Sequence, residues 1–327
     1  MAVKTVIEAV REAMHEEMTR DPSIVVLGED IGRRGGVFLA TQGFIDEFGE
    51  ERVIDTPLAE ASIAGLAVGM AMRGMRPIAE IQFSDFIWYS CNQLIGEAAA
   101  ACYGSNGQLK LPLVVRCPFG GGIKGGLYHS QNTELYFAHR PGLKVVIPAT
   151  PYDAKGLLKA AIRDNSPVLF FEHKKTYRLV RGEVPDEDYT LPIGVADVKR
   201  EGEHISLFTY GLMLHYCLEA AQELEREGVS VEVVDLRTIK PLDTDTITAS
   251  ARKTGKVLIV HEDNLTYGVG AEVAAIVAER AFEHLDGPVM RLCGPDVPTM
   301  PYSAPLEDMY MPSTEKIVAA LKKLAAY

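Results

Sequence analysis

The chain has 327 residues, 47% of them hydrophobic, and a net charge of −12 at neutral pH. That length exceeds one ordinary core and predicts two domains; the acidic surplus leaves no basic face for nucleic acid or an anionic membrane, so the partners expected are small molecules and other proteins. The start, Met1-Ala2-Val3-Lys4-Thr5, lacks the apolar core of a signal peptide and no lipid-spanning stretch follows, so the expected address is the cytoplasm.

Val6, Ile7, Val10, Ala13, Met14 and Met18 recur at helical spacing and predict an amphipathic helix over Thr5 to Thr19. Ser23 to Leu27 reads as a buried strand ending at Gly28-Glu29-Asp30, and carboxylates at the carboxyl edge of such a strand lie where ligands bind in open α/β sheets, or else cap the next segment. A short strand, Arg52–Asp55, ends in a turn at Pro57. Glu60 then begins a helix of almost wholly apolar or small residues to Met72, expected to be buried; at about 18 Å its twelve residues from Ala61 are too short for a bilayer. Ala61, Gly65 and Gly69 share one side at four-residue spacing, which leaves room for another backbone, from a second subunit among the options. Two readings of Glu60 stand side by side: a first-turn carboxylate that stabilises its helix, or an acid held near an interface.

Arg76 to Phe83 is the next strand, leading to the aromatic turn Ser84 to Tyr89 and a small-residue helix from Asn92 to Cys102. Leu111–Arg116 is a strand that opens into a glycine-dense loop, Phe119 to Gln131, of the kind that serves a close approach or a gate. A strand at Leu143–Pro148, a helix from Tyr152 to Arg163 and a strand at Pro167–Glu172 complete a first α/β domain over residues 1–180. Charge and Pro185 interrupt the periodicity around 181–200, the expected linker. Beyond it, strands near 205–210, 229–234, 257–260 and 289–292 alternate with helices near 213–227, 242–254, 271–282 and 314–325, a second α/β domain over 201–327. The fold class expected is α/β with two doubly wound domains.

Motifs with their own chemistry are few. Gly268-Val269-Gly270-Ala271-Glu272-Val273 departs from the dinucleotide fingerprint at its last position, and neither a P-loop nor a Gly-x-Ser-x-Gly elbow occurs. Cys91, Cys102, Cys117, Cys217 and Cys293 form no CxxC pair and read as reduced thiols; the histidines show no zinc spacing. His129, between Tyr128 and Ser130-Gln131, is either a surface histidine or a general acid or base facing a pocket. Phe86, Trp88 and Tyr89 are either core or a platform for a flat heterocycle.

Taken in order, Leu27-Gly28-Glu29-Asp30, Gly35-Gly36-Val37-Phe38, Asp55-Thr56-Pro57-Leu58-Ala59-Glu60, Ala79-Glu80-Ile81-Gln82-Phe83, Leu127-Tyr128-His129-Ser130-Gln131 and Asp235-Leu236-Arg237-Thr238 resemble the beta subunits of the thiamine-diphosphate-dependent dehydrogenase component of 2-oxo acid dehydrogenase complexes. The resemblance implies a transketolase-like fold, a pyrimidine-binding domain followed by a C-terminal domain, in an α2β2 assembly. It assigns Glu60 to the cofactor's aminopyrimidine, Phe86 to stacking on that ring, Glu29 to the cofactor side, and His129 to proton handling or acyl transfer to lipoyl.

The Gly-Asp-Gly motif that holds magnesium and diphosphate in thiamine enzymes does not occur. The resemblance therefore implies an alpha subunit that supplies that half of the site. It also implies a potassium ion near Leu113, Ala161, Asp164 and Ser166, held largely by backbone carbonyls, and docking to the dihydrolipoyl acyltransferase core. Glu80-Ile81-Gln82-Phe83, Gly126 to Gln131 and Phe170 to Lys175 resemble the branched-chain type, so 3-methyl-2-oxobutanoate and its relatives are the substrates expected, with pyruvate and acetoin systems as alternatives. Two other readings are a non-catalytic docking subunit and a self-sufficient transketolase-like enzyme.

Overall fold

The computed structural model describes residues 1–327. The chain divides into two compact units, one formed by Met1–Phe119 and Tyr136–Ile193, the other by Gly120–Leu135 and Gly194–Tyr327.

In the first unit, strand β1 (Ala2–Thr5) runs into helix α1 (Val6–Arg20), which starts where Thr5 and Glu8 close a reciprocal capping box. Then come β2 (Ile24–Gly28), the short α2 (Phe44–Phe48), β3 (Val53–Asp55), α3 (Glu60–Met72) and β4 (Arg76–Glu80). After the irregular helices over 84–98 follow α4 (Ala99–Gly104) and β5 (Val114–Phe119), and after the glycine loop α5 (Glu134–Ala138), β6 (Lys144–Val146), α6 (Pro151–Arg163), β7 (Val168–His173), α7 (Thr176–Leu179) and β8 (Arg181–Val184). Strands β6, β7, β5, β4, β2 and β3 pair in that order, every pair parallel. Val- and Ile-rich strands buried on both faces are what such a sheet needs, and α1 and α6 cover one side of it.

The second unit holds β9 (Asp197–Arg200), β10 (Ile205–Thr209), α8 (Met213–Glu225), β11 (Val231–Asp235), the short β12 (Thr238–Lys240), α9 (Thr244–Thr254), β13 (Val257–Asn264), α10 (Val269–Ala281), β14 (Met290–Gly294), α11 (Ala304–Tyr310) and α12 (Thr314–Ala325). Its sheet runs β14-β13-β10-β11-β9, parallel except for β9. The expected class, α/β with two doubly wound domains, matches this architecture.

Several local expectations are corrected. The stretch expected as a linker is partly ordered structure: β8 pairs antiparallel with β1, and β9 joins the second sheet. Helix α3 is not buried all round in the single chain, since Leu66 is 50% exposed and Met72 38%. An all-apolar helix turns only part of its surface to its own sheet, so the rest of α3 stays open. Strand β4 stops at Glu80, and the aromatic turn is a 3-10 helix, Ser84–Ser90. The helix expected from Asn92 begins with π geometry over Asn92–Ala98.

Candidate active site

The register of β2 sets the site. Gly28 lies opposite Asp55 of β3 on one side and Glu80 of β4 on the other, so the segments leaving all three strands start level. Because the chain goes from β2 to β3 on one side and then crosses to β4 on the other, this edge is a topological switch point, where open α/β sheets leave a crevice.

Hydrogen bonds stitch these segments together. The Thr56 amide donates to the Gly28 carbonyl at 2.9 Å, the Gly32 amide to Asp55 Oδ1 at 2.6 Å, and Gln82 Nε2 to the Glu29 carbonyl at 3.3 Å. Ser90 Oγ donates to the Glu60 carbonyl at 2.8 Å, which ties the 3-10 helix to the first turn of α3. The result is a cleft of about 450 Å³ lined by Glu29, Leu58, Ala59, Glu60, Ala61, Gln82, Phe86 and Tyr89.

Three predicted site residues, Glu29, Glu60 and Phe86, thus line one cleft. Ala59, the residue before α3, offers no side chain to cap the helix, so its first amides direct their positive end outward beside Glu60. Burial pushes the Glu29 carboxyl above its usual range, and the negative charges of Asp30 and Glu60 push it further. Glu60 is thus one of the charges that Glu29 feels in the cleft. Phe86 meets Phe83 edge-on at 6.1 Å between ring centroids, Phe83 meets Phe38 at 5.6 Å, and Lys174 Nζ lies 5.7 Å from the Phe83 ring centre.

Behind this wall lies a charged network that the sequence reading did not single out. Arg116 on β5 donates from Nε and Nη2 to the two carboxylate oxygens of Glu172 at 2.7 Å each, and from Nη1 to Glu80 Oε2 at 2.6 Å. Tyr177 adds its hydroxyl to Glu172 at 2.6 Å. All four are buried. Burial raises the Glu80 carboxyl even against Arg116, and raises the Tyr177 phenol strongly, with the Glu172 charge adding to it. Gly36, at φ +79°, lies over this network: a Cβ there would stand 3.1 Å from Glu80 Oε1, so the turn above the acid is open to glycine alone.

His129 belongs to the second unit, half-buried just after the single 3-10 turn Gly126–Tyr128. Leu113, Ala161, Asp164 and Ser166 gather at the amino ends of β5 and β7, the sheet edge opposite the cleft. There the Leu113 carbonyl accepts from the Val168 amide at 2.8 Å, the Asp164 carbonyl from Arg76 Nη2 at 2.8 Å, and Asp164 Oδ1 from the Ser166 amide at 2.8 Å. Lys144 pairs with the other oxygen of Asp164. The donor set is all oxygen, as a hard monovalent cation requires, and a carbonyl that accepts one amide keeps a second lone pair.

A family model described as the transketolase pyrimidine binding domain matches residues 3–180, and one described as the transketolase C-terminal domain matches residues 194–317. The chain is 57% identical over its full 327 residues, and over the whole of the relative, to the 2-oxoisovalerate dehydrogenase subunit beta of Bacillus subtilis (strain 168). It is 47% identical, again over both whole chains, to the pyruvate dehydrogenase E1 component subunit beta of the same organism. The chain belongs to the transketolase-like beta subunits of 2-oxo acid dehydrogenases. A solved structure titled split gene transketolase, inactive beta4 tetramer, matches with a TM-score of 0.80 at 26% identity, over 99% of this chain and 98% of that one.

The family is an oxidoreductase family associated with thiamine diphosphate, and the cleft has the chemistry for part of such a cofactor. Two carboxylates and an amide line it together with aromatic and aliphatic surface, a mixture that suits a flat nitrogen heterocycle. Gln82 lines the cleft but was not singled out as a site residue, whereas Tyr89, read with Phe86 and Trp88 as either core or a stacking platform, lines it beside Phe86. A signal for Gln82 was available, since it is a polar residue at the carboxyl end of the strand predicted over Arg76 to Phe83, and the observed strand stops two residues before it. Tyr89 needed the 3-10 geometry, which turns it and Phe86 to one side.

Proposed function

We propose that this chain is the beta subunit of an α2β2 enzyme that decarboxylates branched-chain 2-oxo acids on thiamine diphosphate and passes the acyl group to lipoyl on an acyltransferase core. The observation that carries the proposal is the convergence of Glu60, Glu29 and Phe86 on one cleft at the switch point of the first sheet. When bound, the cofactor supplies the electron sink that decarboxylation of a 2-oxo acid needs.

The chain's own residues do the rest. Glu60, at the positive end of α3, shares a proton with a ring nitrogen of the pyrimidine through its carboxylate. Phe86, backed by Phe83, gives that ring a face to pack on. Glu29, with its raised affinity for a proton, lines the same cleft. His129 moves a proton during acyl transfer. Since the chain lacks Gly-Asp-Gly, the alpha subunit holds magnesium and the diphosphate, and closure of the shared site excludes water. The oxygen set around Asp164 takes potassium.

Identity of 57% with a 2-oxoisovalerate-type relative supports the branched-chain substrate. The 47% identity with a pyruvate-type relative keeps pyruvate as the second reading. Assay of the co-expressed alpha and beta chains against a panel of 2-oxo acids separates the two: branched acids turn over fastest under the first reading, pyruvate under the second. In the same assembly Glu60→Gln lowers turnover at least about 100-fold, the scale of a lost acid–base group. Retained turnover in a correctly assembled complex rejects the catalytic role and favours a docking subunit.

A further inference from the structure

We infer that Glu307 is a positioning residue for the loop that carries His129, its side-chain oxygen acting as a built-in hydrogen-bond acceptor seated in the loop's own backbone. The inference rests on the reading of His129 given above, but its primary readout does not.

The loop over 120–132 turns repeatedly through the left-handed region, with Gly120 at φ +88°, Gly122 at +74°, Lys124 at +60° and Gly126 at +65°. Alternation of that kind aims nearby amides in one direction and makes a concavity for an anion. The acceptor that fills it is supplied from α11. Glu307 Oε1 accepts from the Gly122 amide at 3.0 Å and from the Lys124 amide at 3.1 Å. Two donors from residues two apart on one buried carboxylate oxygen fix the curvature of the loop five residues before His129. Lys124, a non-glycine residue held at positive φ, carries a conformational cost that these bonds offset.

A second carboxylate holds the neighbouring turns. Glu262, at the end of β13, accepts from the Gly121 amide and from Asn132 Nδ2. Gly121 fits because it has no side chain, as a Cβ would stand 2.5 Å from Met300 Cε and 3.3 Å from Glu262 Oε1. Gln131 Nε2 donates to Thr299 Oγ1 and to the Leu127 carbonyl, and Thr299 Oγ1 donates to that same carbonyl at 3.2 Å. Both ends of the loop are thus tied down by side chains, while its middle, Ile123 to Gly125, depends on Glu307. Ile123 is 38% exposed and Lys124 is exposed beside it, so the middle is not held by burial.

The test is amide hydrogen exchange on the assembled alpha–beta enzyme, read for residues 120–131, together with acyl transfer to lipoyl. Glu307→Ala is expected to accelerate exchange in that segment about tenfold or more while the rest of the second unit keeps its protection. Glu307→Gln, whose amide oxygen can still accept both bonds, should stay near the wild type. Acyl transfer should lose kcat with Glu307→Ala at unchanged KM for the 2-oxo acid, and Glu307→Gln should restore most of it.

Unchanged exchange in Glu307→Ala overturns the inference, as does acceleration spread evenly over the second unit. If that variant does not assemble, Glu307→Asp takes its place. Being one methylene short it should free the loop where Gln does not, and equal exchange in the Asp and Gln variants overturns the inference too. His129→Ala runs beside them. Wild-type acyl transfer in that variant removes His129 from the mechanism but leaves the exchange result standing, so the two failures are told apart.

Discussion

Glu29 is the acid of the cleft whose proton affinity its surroundings raise, and that is the most direct handle on the site. Glu29 has its carboxyl pushed up by burial first, then by Asp30 and Glu60. For an acid raised in the folded state the folded protein binds more protons than the unfolded one between the two pKa values, so stability falls as pH rises through that interval. The cost is complete above the folded value and absent below the unfolded value of about 4.3. Glu29→Gln should therefore raise the melting temperature at pH 7, by a gain that solvent screening at this half-open site keeps under about 1 kcal/mol. The gain should vanish as pH approaches 4. Melting curves at the two pH values check it, and an equal gain at both would remove charge as the cause. At this scale the sequence was informative where chemistry is local: Glu60 follows Pro57 and opens a helix, and Glu29 follows a strand. It was silent on Arg116, whose meaning comes from Glu80 and Glu172 on neighbouring strands. Three charged residues inside otherwise apolar strands were the available signal.

Elements whose ends are set by short-range chemistry were legible to within a residue or two. Helix α12 covers the predicted Thr314–Ala325, and α3 starts at Glu60, after a proline turn. Elements that depend on distant partners were not. The pairing of β1 with β8 joins residues about 180 positions apart, and residues 120–135 belong to the second unit, where Glu262, Glu307, Thr299 and Tyr210 all bond them from far along the chain. The corner where α6 meets β7 carries a prediction at this scale. Asp164 there accepts from the Ser166 amide and pairs with Lys144, while Arg76 binds the carbonyls of Ile162 and Asp164. If potassium adds to this oxygen set, it binds the folded state alone and stabilises it by mass action. A gain of about 1 kcal/mol moves the midpoint of a unit this size by about 2–4 °C. Thermal melts in potassium and in sodium chloride at equal ionic strength should differ by that much, and Asp164→Ala, which unties Ser166 and Lys144 and so loosens the carbonyls of this corner, should shrink the difference. Identical midpoints for the wild type would remove the ion from the site.

For the whole molecule the question is which surface a partner must complete. On the cleft, Leu58 is 70% exposed and Tyr89 68%, and α3 leaves Leu66 half open nearby. Large apolar groups beside two carboxylates make a poor seat for a charged cofactor in the single chain, because water still reaches the acids and carboxylates repel a diphosphate. A subunit that covers Leu58 and Tyr89 would lower the local dielectric, strengthen each polar contact inside and bring the metal and phosphate groups with it. The purified chain alone should therefore show negligible heat of binding for thiamine diphosphate with magnesium in titration calorimetry, while the co-expressed alpha–beta pair binds tightly. Substituting Leu58 by Asp should weaken the pair's assembly and its cofactor retention together, since the charge falls where an apolar partner surface is required. Tight binding by the lone chain would overturn the two-subunit reading in favour of a self-sufficient enzyme, and an assembled pair that binds no better than the chain alone would place the cofactor elsewhere.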